Sequence, residues 1–164
     1  MNKFAIAAAA LLVAACGSKQ SGTVDTEQGK LDYSVDKSNG DTSVTLSSKD
    51  GDVKYKSGAN VKADLPEGFT LYPGATVINT TTASHAEGSG TQVFMSTKDS
   101  KDEAIAFYRK QAEAAGVDIK ADLKSGPMET LSGTSKDGEN FMVSATEGPD
   151  ATTIRLFLAK GFDG

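Results

Sequence analysis

The stretch that decides the fold is SKDEAIAFYRKQAEAAG, residues 100–116. Ser100 and Glu103 match a capping box, in which the serine hydroxyl and the glutamate carboxylate each satisfy a free backbone donor of the first helical turn. Gly116 lies at a position that suits a left-handed cap. Between these ends, apolar side chains recur every three or four residues at Ile105, Tyr108, Ala112 and Ala115. The stretch therefore predicts an amphipathic helix over residues 102–115 that buries one face.

Segments typical of β-strands lie on both sides of this helix. Before it, the strand-like segments are residues 76–82 and 92–97, joined by a small, polar segment, residues 83–90, that predicts a loop. After it, the strand-like segments are residues 117–123, 128–135, 140–146 and 152–160. Turn signals such as Asp137-Gly138 separate several of these segments. Hairpin-connected strands with one helix predict an α+β fold, an antiparallel β-sheet with the helix packed on one face.

A thinner β pattern precedes this domain. The alternating segments are residues 31–35, 43–47 and 52–56, separated by the turn pairs Asn39-Gly40 and Asp50-Gly51. Their apolar content is low, so a small β-meander over residues 31–62 is expected either to pair with the main sheet or to pack beside it. The α+β sandwich domain then occupies residues 63–164. It begins with a connector, residues 63–75, whose apolar side chains can pack against the core: Leu65, Phe69, Leu71 and Tyr72.

The amino terminus has the pattern of an export signal. A short, positively charged segment precedes an apolar run, residues 4–14, that contains no charge, proline or glycine. The run is too short to span a bilayer, which needs roughly 20 apolar residues, so residues 1–15 are predicted to be a signal peptide that is removed. Residues 16–30 are polar and cannot bury much apolar surface, which predicts a flexible tether.

The residues around the expected cleavage point, Val13-Ala14-Ala15-Cys16, resemble the lipobox of bacterial lipoproteins. The resemblance implies that Cys16, the only cysteine of the chain, receives a diacylglyceryl group and an N-acyl chain and becomes the first mature residue. Two or more acyl chains hold a protein firmly on a membrane. The chain is therefore expected to be a lipid-anchored protein of the cell envelope. Because Gly17, and not Asp, follows the lipidated residue, the resemblance implies the outer membrane, facing the periplasm.

A second resemblance covers residues 63–160. The motifs YPGA at residues 72–75, AFYR at 106–109 and AAG at 114–116 are similar to those of a small α+β domain that recurs in bacterial lipoproteins. These motifs are structural, since the Pro-Gly pair fixes a turn and the aromatic residues fill a core. The resemblance implies a fold and an exported location, and no activity.

The charge of the chain argues against two classes of partner. Removal of residues 1–15 leaves 16 basic against 22 acidic residues, a net charge of −6. The lysines are scattered and form no basic stripe, so neither nucleic acid nor a purely electrostatic attraction to anionic lipid is expected.

The residue types needed for catalysis or metal binding do not form a recognisable group. His85 is the only histidine and lies in the predicted loop, and a zinc site would need three or four ligands. A copper site is conceivable from His85 with the thioethers of Met95, Met128 and Met142, but a core role is the better interpretation of Met95 and Met142. Two acidic clusters lack the spacing of a calcium loop: Asp50 with Asp52, and Asp99 with Asp102 and Glu103. We expect no cofactor, no metal site and no enzymatic activity.

Two functions remain open from the sequence. The first is a non-enzymatic structural or protein-interaction module that presents a sheet face or edge to another envelope protein. The alternative is a periplasmic carrier that holds a small apolar ligand between helix and sheet. The carrier hypothesis predicts an apolar cavity near the aromatic residues of the core, namely Phe107, Tyr108, Phe141 and Phe157.

Overall fold

The computed structural model describes residues 19–26, 29–38, 41–58, 61–63, 65–86 and 88–161. The predicted signal peptide and the predicted lipidation site, Cys16, lie outside these residues. Within them, no helix has both the length and the apolar character needed to cross a membrane. The elements, in chain order, are β1 (Lys19–Thr26), β2 (Gly29–Ser38), β3 (Asp41–Ser48), β4 (Gly51–Ser57), β5 (Thr76–His85), β6 (Gly88–Thr97), α1 (Lys101–Ala114), β7 (Val117–Ser125), β8 (Met128–Ser135), β9 (Glu139–Glu147) and β10 (Thr152–Lys160).

All ten strands join one antiparallel sheet, in the order β1-β2-β3-β4-β5-β6-β10-β9-β8-β7. The chain runs as a meander from β1 to β6, and α1 then carries it to the far edge of the sheet. From β7 a second meander returns to β10, which pairs with β6. The helix packs on strands β7 to β10. The predicted α+β fold, an antiparallel sheet with one helix on one face, is confirmed, although the sheet is larger than expected.

The capping box that the sequence predicts starts α1. The Glu103 backbone N–H donates to the Ser100 hydroxyl over 3.3 Å, and the Ser100 backbone N–H donates to the Glu103 carboxylate over 3.0 Å. At the other end Gly116 has a φ of 75°, a left-handed conformation that glycine adopts without steric cost. The helix begins one residue earlier and ends one residue earlier than predicted.

The core lies between α1 and the sheet. On the helix, Ile105, Tyr108 and Ala112 are buried, as their spacing predicts. On the sheet, alternate residues of the central strands face the helix: Val93 and Met95 of β6, Phe141 and Val143 of β9, Leu131 of β8, and Ile154 and Leu156 of β10. Each strand alternates because successive side chains point to opposite faces. The connector is pinned as expected, since Phe69 and Tyr72 are buried and Leu65 and Leu71 pack against the same core.

The prediction of a flexible tether over residues 16–30 is wrong for the part that the structure describes. Residues 19–26 form the edge strand β1, which pairs along its length with β2. Two side-chain contacts also join these strands: Lys19 lies 3.2 Å from Asp36, and the Thr23 hydroxyl donates to Asp32. An edge strand gains its stability from backbone pairing, so it does not need the apolar content on which the tether prediction depended.

One other feature of the first meander differs from the sequence-based expectation. The predicted loop over residues 83–90 is wrong, because β5 continues to His85 and β6 starts at Gly88. The small polar residues there pair as a tight hairpin. Of the two alternatives that the sequence leaves open for the β-meander, the structure shows pairing with the main sheet, since β4 pairs with β5 over its whole length.

Strands β1–β4 direct their apolar residues away from the helix. Residues that lie directly opposite each other in an antiparallel pair share a face. Tyr55 lies opposite Thr81 and Val53 opposite Ala83, whereas Thr80 and Thr82 of β5 share the face of the buried Val93. We call the resulting apolar surface on the side opposite α1 the uncovered face: Val24, Leu31, Tyr33, Val35, Val44, Leu46, Val53 and Tyr55. Every one of these side chains retains exposure to solvent.

Candidate functional site, a cavity at the end of the core

A cavity of about 270 Å³ lies where the helix stops covering the sheet. The starts of β6 and β9 meet the end of β10 there, because Lys160 pairs with both Ser89 and Glu139. The connector and the start of β7 close the opposite side. The lining residues are Pro66 and Phe69 of the connector, Ser89, Gly90 and Thr91 of β6, Val117 of β7, Glu139, Asn140 and Phe141 of β9, and Leu158, Ala159 and Lys160 of β10.

Two stacked rings form one wall of the cavity. The Phe69 and Phe141 ring centroids are 5.5 Å apart with an interplanar angle of 20°, a stacked arrangement. Both side chains are otherwise buried, Phe69 at 8% exposure and Phe141 at 2%. Val117 and Leu158 are also mostly buried. The inner part of the cavity is therefore an apolar surface that is well fixed by its surroundings.

Hydrogen bonds from the helix hold the connector over the sheet. The Thr70 backbone N–H donates to the Gln111 side-chain oxygen over 3.1 Å, and the Gln111 amide donates to the Thr70 hydroxyl over 2.7 Å. The Tyr108 hydroxyl donates to the Thr70 carbonyl oxygen over 3.3 Å. Gly68 permits the turn before Phe69 with a φ of 90°. The helix thus positions the Phe69 wall without itself lining the cavity.

The mouth of the cavity is polar. The Lys160 ammonium lies 3.4 Å from a Glu139 carboxylate oxygen, and both side chains are substantially exposed. Ser89 is also exposed at this end. The site therefore combines an apolar interior with a few polar groups at its entrance, the usual composition of a small-molecule site.

The space between helix and sheet is occupied by side chains, which corrects the predicted location of a ligand. Tyr72, Phe107 and Tyr108 form an aromatic cluster, with centroids of both Tyr72 and Tyr108 5.1 Å from that of Phe107. Tyr108 is fully buried. Phe157, expected at the same place, lies instead on the opposite face of the sheet, because its neighbours Leu156 and Leu158 face the core.

The phenols of this cluster stay neutral at physiological pH. Burial, followed by the hydrogen bond to Asp99, raises the pKa of Tyr72 to about 12. That bond is 2.8 Å long. Burial also raises the pKa of Tyr108. Neither hydroxyl is therefore suited to act as a general base near neutral pH, and both act as hydrogen-bond donors within the core.

A charged cluster lies at the start of α1, where sequence analysis missed one member. Glu129 occupies an inward position of β8 with 2% exposure, and its carboxylate lies 2.9 Å from the Lys124 ammonium. The Lys124 ammonium also donates to Asp102 over 3.5 Å, and its hydrogen bond to Glu129 raises the pKa of Lys124. Hydrogen bonds from Ser100 lower the pKa of Glu103. The alternation of β8 places Glu129 on the same face as Leu131, a signal that could have identified it.

The residues considered for metal binding are not brought together. Met95 faces the core from β6, whereas Met128 and Met142 lie on the opposite face of the sheet. His85 is the last residue of β5, where its backbone pairs with β4 and β6. Across the part of the chain that the structure describes, no three His, Cys, Asp or Glu side chains are close enough to hold a metal ion.

Comparison with known proteins gives one similarity. Residues 77–153 match the model of a family described as START domain-like. The match runs from β5 to the start of β10 and includes α1, so it covers most of the helix-covered sheet and overlaps the stretch that resembles a recurrent lipoprotein domain. Searches among curated proteins and among solved structures return no match.

Proposed function

We propose that this chain is a non-enzymatic binding module that holds a small, mainly apolar ligand in the cavity beside Phe69 and Phe141. The cavity is the observation that carries the proposal. Its volume of about 270 Å³ equals that of about nine liquid water molecules at roughly 30 Å³ each, enough for a molecule of one or two rings. The similarity to a START domain-like family supports a ligand-binding role for the same part of the chain.

The physical basis of binding is the burial of apolar surface against a preformed wall. The stacked phenylalanines, Val117 and Leu158 supply that surface. The hydrogen bonds between Thr70 and Gln111 hold the connector, and with it Phe69, in place before a ligand binds. A preformed site loses little conformational entropy on binding. Polar groups of the ligand would remain at the mouth, near Ser89 and Lys160.

Fluorescence titration with prodan, a two-ring naphthalene dye whose emission shifts to the blue and brightens in apolar surroundings, tests this function. We expect saturable binding to the wild-type protein. Ser89→Phe places a ring in the mouth and is expected to weaken binding by about tenfold, or roughly 1.4 kcal/mol. Ser96→Phe is the matched control, because Ser96 lies on the same strand but on the face away from the cavity. Equal dye binding by both variants would contradict the proposal.

We further propose that the module is held on the bacterial envelope, in the outer membrane facing the periplasm, by acylation of Cys16. The lipobox-like residues 13–16 and the apolar run before them support this part. Cys16→Ala should prevent incorporation of a palmitate analogue and release the protein from the membrane fraction. Retention of the label in this variant would contradict the anchor. The other function predicted from the sequence, a module for an envelope protein partner, stays a prediction.

A further inference from the structure

The uncovered face of β1–β4 is an apolar surface for which the fold supplies no cover in the described residues. Val24, Val53 and Tyr55 are 38–39% exposed, well above the values of core residues. With strands about 4.8 Å apart, three rows of residues across four strands span about 400 Å², of which the eight apolar residues occupy about two thirds. The Tyr33 ring lies across Gly22 of the edge strand, close enough that a Cβ atom there would lie 2.8 Å from it. The largest apolar patch of a typical monomer measures about 300–600 Å² and is often functional, so this face is a candidate binding surface.

The two faces of these four strands differ in where their carboxylates lie, although lysines occur on both faces: Lys19, Lys30, Lys54 and Lys56 share the α1 side. Within β1–β4, the described aspartates all lie on the face that points toward the α1 side: Asp25, Asp32, Asp36, Asp41 and Asp52. The uncovered face carries Lys37, on the same side as Val35, and no carboxylate among its described residues. An acidic protein is repelled by anionic lipid headgroups. The arrangement keeps the described carboxylates of β1–β4 off the uncovered face, so that face is not repelled by an anionic headgroup layer.

The position of the predicted anchor adds a distance limit. Only Gly17 and Ser18 separate Cys16 from Lys19, the first residue of β1, so even a fully extended chain spans about 10 Å. The edge of the sheet therefore stays near the headgroups whenever Cys16 is acylated. The phenols of Tyr33 and Tyr55 suit the boundary between headgroups and acyl chains, where tyrosine is enriched.

We propose that the uncovered face lies on the surface of the bilayer that holds the acylated Cys16, with its apolar side chains at the boundary between headgroups and acyl chains. This inference rests on the proposed anchor. It adds an orientation, because the face contact places the aspartates of β1–β4 toward the periplasm.

The test compares two adjacent positions of one strand in the acylated protein. Val53 and Lys54 are both exposed, and their side chains point to opposite faces of β4. In the acylated protein the Cys16 sulfur is blocked, so Val53→Cys and Lys54→Cys each offer one free thiol for an environment-sensitive NBD label. The proteins are reconstituted into vesicles of phosphatidylethanolamine and phosphatidylglycerol, with or without lipids that carry a nitroxide quencher on the acyl chain.

We expect blue-shifted emission and about threefold stronger quenching at position 53 than at position 54, since an interfacial apolar surface is buried about 5–10 Å into the boundary. Equal, weak quenching at both positions in protein that stays on the vesicles would overturn the face contact while leaving the anchor intact. Blue-shifted but unquenched emission at position 53 would also overturn it, and would assign the face to a second copy of the chain. Label on Cys16 and release into the aqueous phase would overturn the anchor itself, and the inference with it.

Discussion

The sheet has two regions that follow the same alternation of apolar and polar residues and yet direct their apolar residues to opposite sides. In β5–β10 the apolar side points to α1, and Val93 and Leu156 are fully buried. In β1–β4 the apolar side points the other way, and Val53 and Tyr55 remain exposed. Where β4 pairs with β5, the apolar Tyr55 shares a face with Thr81, and the polar Lys56 shares the α1 side with the buried Thr80. The alternation therefore predicts which side chains share a face within each region. The position of the helix determines which of those faces is buried.

The family similarity follows the same division. The matched residues 77–153 begin in β5 and end in β10, so β1–β4 lies outside them. Seven of the twelve residues that line the cavity belong to the matched region, and the other five lie outside it: Pro66, Phe69, Leu158, Ala159 and Lys160. We infer that the covered region binds the ligand and that the uncovered region orients the molecule.

The largest difference between the regions is expected from removing a tyrosine from each. Tyr108→Ala should lower the free energy of unfolding by about 3–5 kcal/mol, because it leaves a cavity in a closely packed core. Tyr55→Ala, the matched control on the uncovered face, should change it by less than about 1 kcal/mol. Urea unfolding of both variants measures the difference. A similar loss for both would show that the uncovered face is part of a packed interior.

A pair of glycines gives a second comparison. A Cβ atom at Gly133 of β8 would overlap the Asp118 carbonyl oxygen and Val117, so Gly133→Ala should cost roughly 1–3 kcal/mol. At Gly22 of β1 the obstacle is the movable Tyr33 ring, and Gly22→Ala should change the unfolding free energy by less than about 0.5 kcal/mol. Urea unfolding again provides the measurement. A larger loss of unfolding free energy for Gly22→Ala than for Gly133→Ala would contradict the difference expected between the two regions.

The buried phenol of Tyr72 gives the covered region a dependence on alkaline pH. Its pKa is about 12 in the folded protein against 10.0 ordinarily, so the stability it contributes is complete below pH 10 and is lost as pH rises toward 12. Tyr72→Phe should lose about 1.5 kcal/mol at neutral pH, through the bond to Asp99, and should show a smaller alkaline loss than the wild type. Unfolding free energies measured from pH 8 to 12 test this. Parallel curves for the two proteins would exclude Tyr72 as a source of the dependence.

The smallest effect expected is at the helix start. Ser100→Ala removes one half of the capping box and should cost about 1 kcal/mol. Ser100 also lowers the pKa of Glu103, so the stability from that carboxylate is present above its ordinary pKa and lost as pH falls through the lowered value. Between neutral and acidic pH, the melting temperature of Ser100→Ala should therefore fall less than that of the wild type. An unchanged melting temperature at neutral pH would contradict a stabilising cap.

Local signals predicted much of the covered region. Capping residues and apolar spacing identified α1 within one residue at each end, and alternation identified the strands on both sides. The edge strand β1 was missed because its stability comes from pairing with β2, which composition does not reveal. The cavity was also beyond prediction, since it arises where the end of a helix, a connector and three strand ends meet. Phe69 was recognised as a core residue, but nothing in the sequence shows that one side of its ring borders empty space.

Thiol labelling of the lipid-free protein tests the division of the sheet most directly. With Cys16→Ser as background, Leu46→Cys reports on the uncovered face of β3 and Leu156→Cys on the covered face of β10. We predict that the cysteine at position 46 reacts within about tenfold of its rate in unfolded protein, and that the one at position 156 reacts at least about 100-fold more slowly than the first. Equal protection of both cysteines in the absence of vesicles would contradict the account, because the face assigned to the membrane would then already be covered by protein.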